Sequence, residues 1–338
     1  MISEQQIIIG ESQSFLEVIE QTSHAASHDR PVLVIGERGT GKELIAARLH
    51  FLSPRWEQNF VQINCAALPD SLLESELFGH EPGSFTGATA KRIGRFEEAD
   101  KGTLFLDEIA TTSPSAQEKI LRITEYGTFQ RLGSNRTLRA DVRIVGATNI
   151  DLPSAADLGE FRHDLLDRLA LDVITLPPLR ARKDDIIILA NHFGQKIAQE
   201  KAWLSFPGFS NEMMEQLLDY NWPGNIRELK NVIERAVYYA EDEHENITNI
   251  ILDPFQSPYR PKQREQSPIK APEIFKPDQT IRYDQGPVNY HQTIDKFEKE
   301  LLQGALEANK FNQRQAANYL NLSYHQLRHQ LKKHSLSK

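Results

Sequence analysis

The chain has 338 residues, of which 39% are hydrophobic and 25% charged, and its formal net charge is -8. This is ordinary globular composition, enough for one large core and one or two smaller modules. No apolar run approaches the ~18 residues of a membrane span and the N-terminus lacks a secretory pattern, so no membrane insertion and a cytoplasmic location are expected. Cys65 is the only cysteine, which excludes an internal disulfide and suits a reducing compartment.

In chain order, apolar and β-branched runs fall at 31–37 (PVLVIGE), 60–65 (FVQINC), 103–108 (TLFLDE), 142–149 (VRIVGATN) and 172–179 (DVITLPPL). Their nearly continuous apolar character predicts strands buried on both faces, and the helical patterns between them predict a parallel α/β sheet with helices on both sides. This α/β core is expected over 1–177. Helical periodicity broken at FPGF and WPGN predicts a small all-α lid over 178–253. Prolines scattered among polar residues predict an extended linker over 254–289. From 290 to 338 helical spacing returns, with Ile294, Phe297, Leu301 and Ala305 predicted on one face.

The fragment GERGTGKE at 36–43 follows a strand and precedes a helix, the setting a P-loop requires. Gly36, Gly39 and Gly41 let the backbone turn its N–H groups towards phosphate, together with Glu37, Arg38 and Thr40, and Lys42 adds a point charge. The position after the lysine usually carries a hydroxyl that ligates Mg2+; here it is Glu43, whose direct ligation is not expected. The strand TLFLDE ends in Asp107, placed to hold the metal, and Glu108, placed to orient or deprotonate water. Thr148 and Asn149 end another strand, where a γ-phosphate sensor belongs or a simple strand-end turn. Arg162, Arg168 and Arg227 are the candidate counter-charges for phosphoryl transfer, against the ordinary reading of solvated helix arginines. ATP is the expected substrate.

Between these motifs lies ELFGHEPGSFTGA at 76–88, which ATP chemistry alone does not require. With GERGTGKE, FLDE, ATN, FRHDLLDRL and WPGNIREL in the same order, it makes the chain resemble the sigma-54-dependent bacterial enhancer-binding proteins, of the AAA+ class, from about residue 10 to 253. The resemblance implies an ATPase that assembles into a ring, expected to be a hexamer, and remodels the closed complex of sigma-54 RNA polymerase. It implies that Gly83, Ser84, Phe85, Thr86, Gly87 and Ala88 contact sigma-54, with Ser84 standing where most relatives have alanine. It also implies that Asn64 restrains Glu108, that Arg162 and Arg168 act in trans, and that Arg227 is the lid sensor. The family carries glutamate at the Glu43 position too.

At full length the chain resembles the phage-shock branch of that family. With the ATPase beginning about ten residues in, no N-terminal sensor domain is expected, and control falls to a negative regulator, phage-shock protein A, in a stress response. Trp56, a large aromatic in a polar stretch, is either a packing residue or the regulator's contact.

From 309 to 338 there are six Lys/Arg and no Asp/Glu, so the rest of the chain carries -14. Within this basic tail, QRQAANYL at 313–320 with small Ala316 and Ala317, a break, Ser323 as N-cap and YHQLRHQLKKH from Tyr324 predict a helix-turn-helix for enhancer DNA. Its end resembles the family's Fis-type module. Arg314, Ser323, Tyr324, His325, Gln326, Arg328, His329, Lys332 and Lys333 are the candidate DNA contacts, with Arg328 and Gln326 for base edges and the lysines for phosphates. A helical hairpin for oligomerisation is the plainer alternative. Two other classes compete with the whole reading. Against a replication initiator or helicase loader stands the GSFTGA loop; against a repressor with a P-loop sensor stand Asp107, Glu108 and the arginine pair.

Overall fold

The structure, a computed structural model, describes residues 8–84, 88–240, 243–257, 259, 260, 290–309, 311–320, 322, 324–334 and 336, without the side chains at 290–293, 314, 318 and 325. It divides into two compact units, Met1–Gln256 and Ser257–Lys338.

In the first unit, α1 (Gln13–Ala26), β1 (Val32–Ile35), α2 (Lys42–Phe51), β2 (Phe60–Asn64), α3 (Asp70–Phe78), α4 (Arg95–Glu98) and β3 (Thr103–Asp107) follow one another. Then come α5 (Pro114–Tyr126), β4 (Thr128–Gln130), β5 (Thr137–Arg139), β6 (Arg143–Thr148), α6 (Leu152–Asp157), α7 (His163–Leu169) and β7 (Asp172–Thr175). The main sheet has the order β2-β3-β6-β1-β7 and is parallel throughout. Strand side chains alternate between two cores. Val32, Val34, Phe105 and Val145 face α1 and α2, whereas Leu33, Leu104, Leu106 and Ile144 face the helices between β2 and β7.

Continuous burial holds only for the inner strands. β6 is buried at all six positions, but in β2 only Val61 and in β7 only Ile174 is fully buried. These two are the sheet edges, and a run's apolar content does not reveal which strand lies outermost. The antiparallel β4–β5 hairpin was not expected from the pattern; its strands are three residues each, too short for a periodicity.

The lid consists of α8 (Lys183–Glu200), α9 (Asn211–Asp219) and α10 (Asn225–Tyr239) around Ile186, Leu189, Met213, Leu217, Leu229 and Ile233. Trp222 is fully buried there and donates its indole N–H to the Leu217 carbonyl at 2.8 Å.

The second unit comprises α11 (Tyr290–Ala308), α12 (Gln313–Tyr319) and α13 (Tyr324–Lys333), closed around Leu302, Leu306, Ala316, Ala317, Leu327 and Leu331. The buried face of α11 is therefore Leu302, Ala305 and Leu306; of the expected Ile294, Phe297, Leu301 and Ala305 only Ala305 is buried, and the other three stay exposed within the unit. Of the predicted linker, residues 258 and 261–289 lie outside the described residues. Among the described residues no helix is long and apolar enough to cross a membrane.

One buried cation anchors the root of the sheet. Arg143, 3% exposed, opens β6 and donates to the carbonyls of Ala25 (2.7 Å), Ala26 (3.2 Å), Arg30 (3.1 Å) and Leu49 (3.3 Å). These carbonyls include the C-terminal ends of α1 and α2, where the helix dipoles favour a positive charge. Replacing Arg143 with Met strips these carbonyls of its donors, and Ala25 keeps the 3.3 Å bond from the His28 amide. At about 1 kcal/mol or more for each unsatisfied group, the variant should lose several kcal/mol, read as a fall in the urea midpoint.

Candidate active site

All five parallel strands end on the side where ligands bind in open α/β sheets. Gly36 donates to the Thr148 carbonyl at 3.2 Å, so the β1–β6 ladder continues into the first glycine of the loop. Gly39 and Gly41 take φ of +78° and +95°, left-handed values that exclude most side chains. Gly41 caps α2 without a side-chain bond, leaving the helix N-terminus available to an anion. Lys42 donates to the carbonyls of Gly36 (2.9 Å) and Glu37 (3.3 Å), and Thr40 binds the Glu37 carbonyl at 2.8 Å. Burial pulls the Lys42 ammonium below its ordinary value, opposed by the charges of Glu108 and Asp107.

A cleft of about 460 Å³ opens here, lined by Arg38, Gly39, Lys42, Glu43, Asn64, Asp107, Glu108 and Arg227, among others. Asp107, at the end of β3, accepts from Asn64 Nδ2 at 3.0 Å and from the Glu108 amide at 3.1 Å. Asn64 thus spends its amide on Asp107 and not on Glu108, the partner the sequence reading expected. Glu108 itself has φ +52°, a left-handed conformation that costs a non-glycine residue about 1–2 kcal/mol and turns its side chain off the strand.

Thr148 and Asn149 do not line this cleft. Thr148 is fully buried and its hydroxyl accepts from the Ile150 amide at 3.1 Å, while Asn149 is exposed. Arg162 and Arg168 lie outside the cleft as well. Arg162 caps α7 and pairs with Asp164 at 2.7 Å; Arg168 pairs with Glu125 at 2.8 Å.

The loop between α3 and α4 is described at its root. His80 and Arg92 exchange backbone bonds of 3.0 Å, the Glu81 amide binds the Leu132 carbonyl at 3.0 Å, and the Gly83 amide binds the Ala88 carbonyl at 2.8 Å. Arg131, from the β4–β5 hairpin, bonds Glu81 at 2.8 Å and also pairs with Glu97. The Ser84 hydroxyl is buried without a partner. Phe85, Thr86 and Gly87 lie outside the described residues. Trp56, in the turn after α2, is 57% exposed.

In the second unit Tyr324, Gln326, Arg328, His329, Lys332 and Lys333 are exposed on α13, whereas Leu327 and Leu331 are buried. Lys333 is tied to Glu298 of α11 at 2.8 Å. Ser323 and the side chains of Arg314 and His325 lie outside the described residues.

Three residues that sequence reasoning missed belong to this region. Asn225, fully buried at φ +53°, accepts from the Leu179 amide (2.8 Å) and donates to Glu37 Oε2 (3.1 Å) and the Arg38 carbonyl (3.0 Å). Arg180 pairs with Glu37 at 2.5 Å. The Arg180 bond, then that of Asn225, hold the Glu37 carboxyl down to about 2. Lys230 lines the cleft from α10. The WPGN turn was the only signal for Asn225, and it read as a break between helices.

Cys65 follows Asn64 and is buried. Burial, reinforced by Asp107 and Glu108, pushes its thiol up to about 12 from 9.0. The unfolded chain ionises it first, so this contribution to stability is complete below about pH 9 and is lost as pH rises towards about 12. Stability should therefore fall less steeply across that alkaline window in Cys65→Ala than in the native chain, measured by urea titration at several pH values. At pH 8 a thiol reagent should modify the folded chain far more slowly than the unfolded one.

Comparison with known proteins agrees with this geometry. Residues 8–175 match the model of the sigma-54 interaction domain, 180–268 an AAA+ ATPase lid domain, and 293–334 the bacterial regulatory protein Fis family. The chain is 51% identical to the Psp operon transcriptional activator of Escherichia coli K12, over 97% of this chain and 98% of the relative. It is 48% identical to the Nif-specific regulatory protein of Azotobacter vinelandii, over 70% of this chain and 45% of the relative. Among solved structures, NtrX from Brucella abortus in complex with ADP aligns with a TM-score of 0.68 and 29% identity, covering 99% of this chain and 70% of that one. With the phosphate loop, the acidic strand end, the lid and the helix-turn-helix in one chain, this protein belongs to the sigma-54-dependent AAA+ transcriptional activators and is an ATPase.

Proposed function

We propose that the chain works in the cytoplasm as a hexameric ring that hydrolyses ATP between subunits and remodels the closed sigma-54 RNA polymerase complex, while the helix-turn-helix holds enhancer DNA. The target we assign is the phage-shock operon, as part of a stress response. The observation that carries the reading is the division of charge at the cleft. Lys42, Asp107, Glu108 and Arg227 line it, whereas Arg162 and Arg168 are surface arginines outside it.

In this reading Lys42 exchanges its bonds to Gly36 and Glu37 for phosphate oxygens, aided by the α2 N-terminus. Glu108 receives the proton of the attacking water as the bond to the γ-phosphorus forms and the bond to the ADP oxygen breaks. Asn64 fixes Asp107 and through it the turn that presents Glu108. Arg162 and Arg168 supply positive charge to a neighbouring subunit's site, and Arg227 reports occupancy to the lid. Asp107 offers the hard oxygens that Mg2+ prefers, with Glu43 in the same cleft. It would hold the metal, which when bound neutralises phosphate charge. The base enters an adjoining cavity of about 320 Å³, where Ile8, Ile9, Leu176 and Phe193 supply apolar walls.

The segment 83–88 is the sigma-54 contact, and Trp56, more than half exposed, is the surface for phage-shock protein A. The exposed Ile294–Phe297–Leu301 stripe supports pairing of two helix-turn-helix units, the usual way such modules reach two half-sites.

Specific ATPase activity should rise steeply with protein concentration and fall on addition of phage-shock protein A, while Lys42→Ala removes turnover and spares DNA binding. A specific activity that is flat with concentration rejects the shared site, and normal turnover in Lys42→Ala rejects the phosphate-site assignment. Deleting residues from 309 onward should leave ATPase intact and abolish site-specific DNA binding, as read by gel shift and phosphate release on the same preparation.

A further inference from the structure

The phosphate cleft and the adjoining cavity are two halves of one groove, and five residues line both: Gly41, Glu43, Leu44, Ile226 and Lys230. A nucleoside triphosphate with its base in one half and its γ-phosphate in the other must thread this waist. The sugar and the α-phosphate are the parts that lie there. Of the five residues, Gly41 brings no side chain, Leu44 and Ile226 are apolar, and Glu43 repels phosphate. Lys230 is the one cation of the waist.

Its position follows from the helix. Lys230 stands three residues after Arg227 on α10, so the two share a face of the helix that closes over the loop. The Ile226 amide at the start of that helix binds the Gly39 carbonyl at 3.0 Å, which fixes the register of α10 against the P-loop. Among the described residues the Lys230 ammonium pairs with Glu234 alone, at 3.6 Å and with half its side chain exposed, a pair that gives way easily to a phosphate.

We infer that Lys230 binds the α-phosphate and is a positioning residue for the nucleotide, distinct from the γ-phosphate group of Lys42 and Arg227. This rests on the nucleotide reading above. A contact to the α-phosphate is common to ATP, ADP and AMP, so all three must depend on it equally.

The test is displacement of a fluorescent ADP analogue from the full-length chain by ATP, ADP and AMP, in wild type, Lys230→Met and Lys230→Arg. Lys230 is exposed, so its replacement spares the core. Lys230→Met should weaken all three ligands by a similar factor, roughly five- to tenfold for one partly exposed charged hydrogen bond, with Lys230→Arg recovering most of it. In steady-state hydrolysis the same loss should appear in KM and not in kcat. Unchanged affinities in Lys230→Met, or a loss confined to ATP, overturn the assignment while leaving the nucleotide site standing. Failure of wild type to bind any of the three overturns the nucleotide reading, and this inference with it.

Discussion

Every functional part of the first unit depends on how the phosphate loop is joined to the lid. The Gly39 carbonyl accepts from the Ile226 and Arg227 amides, so a loop peptide caps the start of α10. A Cβ on Gly39 would run into the Gly224 carbonyl, which is why the loop needs glycine at this point. Asn225 completes the junction, and three hydrogen bonds of its side chain hold it in its left-handed backbone conformation. Arg227 and Lys230 reach the cleft only because α10 is pinned in this way. The lid therefore registers the loop directly and not through a flexible connection.

The sheet supplies the other half of the frame. Parallel order places the ends of β2 and β3 side by side and that of β1 one strand further on, across β6, and so brings the P-loop, Asn64 and the Asp107–Glu108 pair to the same edge of the sheet. Arg143 holds the opposite end by joining two helix termini to the start of β6. Buried charges of this kind are costly to place and more costly to strip of their partners. The fixed base lets Glu108 keep an unfavourable backbone conformation beside the reacting groups.

Much of this was legible in the residues. The inner strands read correctly because burial on both faces leaves an unbroken apolar run, and the glycine loop after β1 and the acidic end of β3, singled out by their spacing, line one cleft. What could not be read depended on distant chain segments. Nothing in FVQINC distinguishes an edge strand from a central one. Nothing in WPGN says that its asparagine will meet Glu37, 188 residues earlier. The α11 stripe misled because that helix carries two apolar faces, and only the packing of α12 and α13 decides which is inside. Arg143 did leave a trace, a charge within a buried run, but its four acceptors come from three separate stretches of chain.

The closed root of the 83–88 loop sets a limit on mechanical stroke. The Gly83–Ala88 hydrogen bond leaves four residues, 84 to 87, beyond the clamp. Two residues out and two back, at about 3.3–3.6 Å each, reach about 7 Å at most. A longer excursion must either break that bond or move the His80–Arg92 base, which Arg131 ties to the β4–β5 hairpin. Large displacement at the tip therefore costs either the Gly83–Ala88 bond or a shift of the hairpin, and small displacement costs neither.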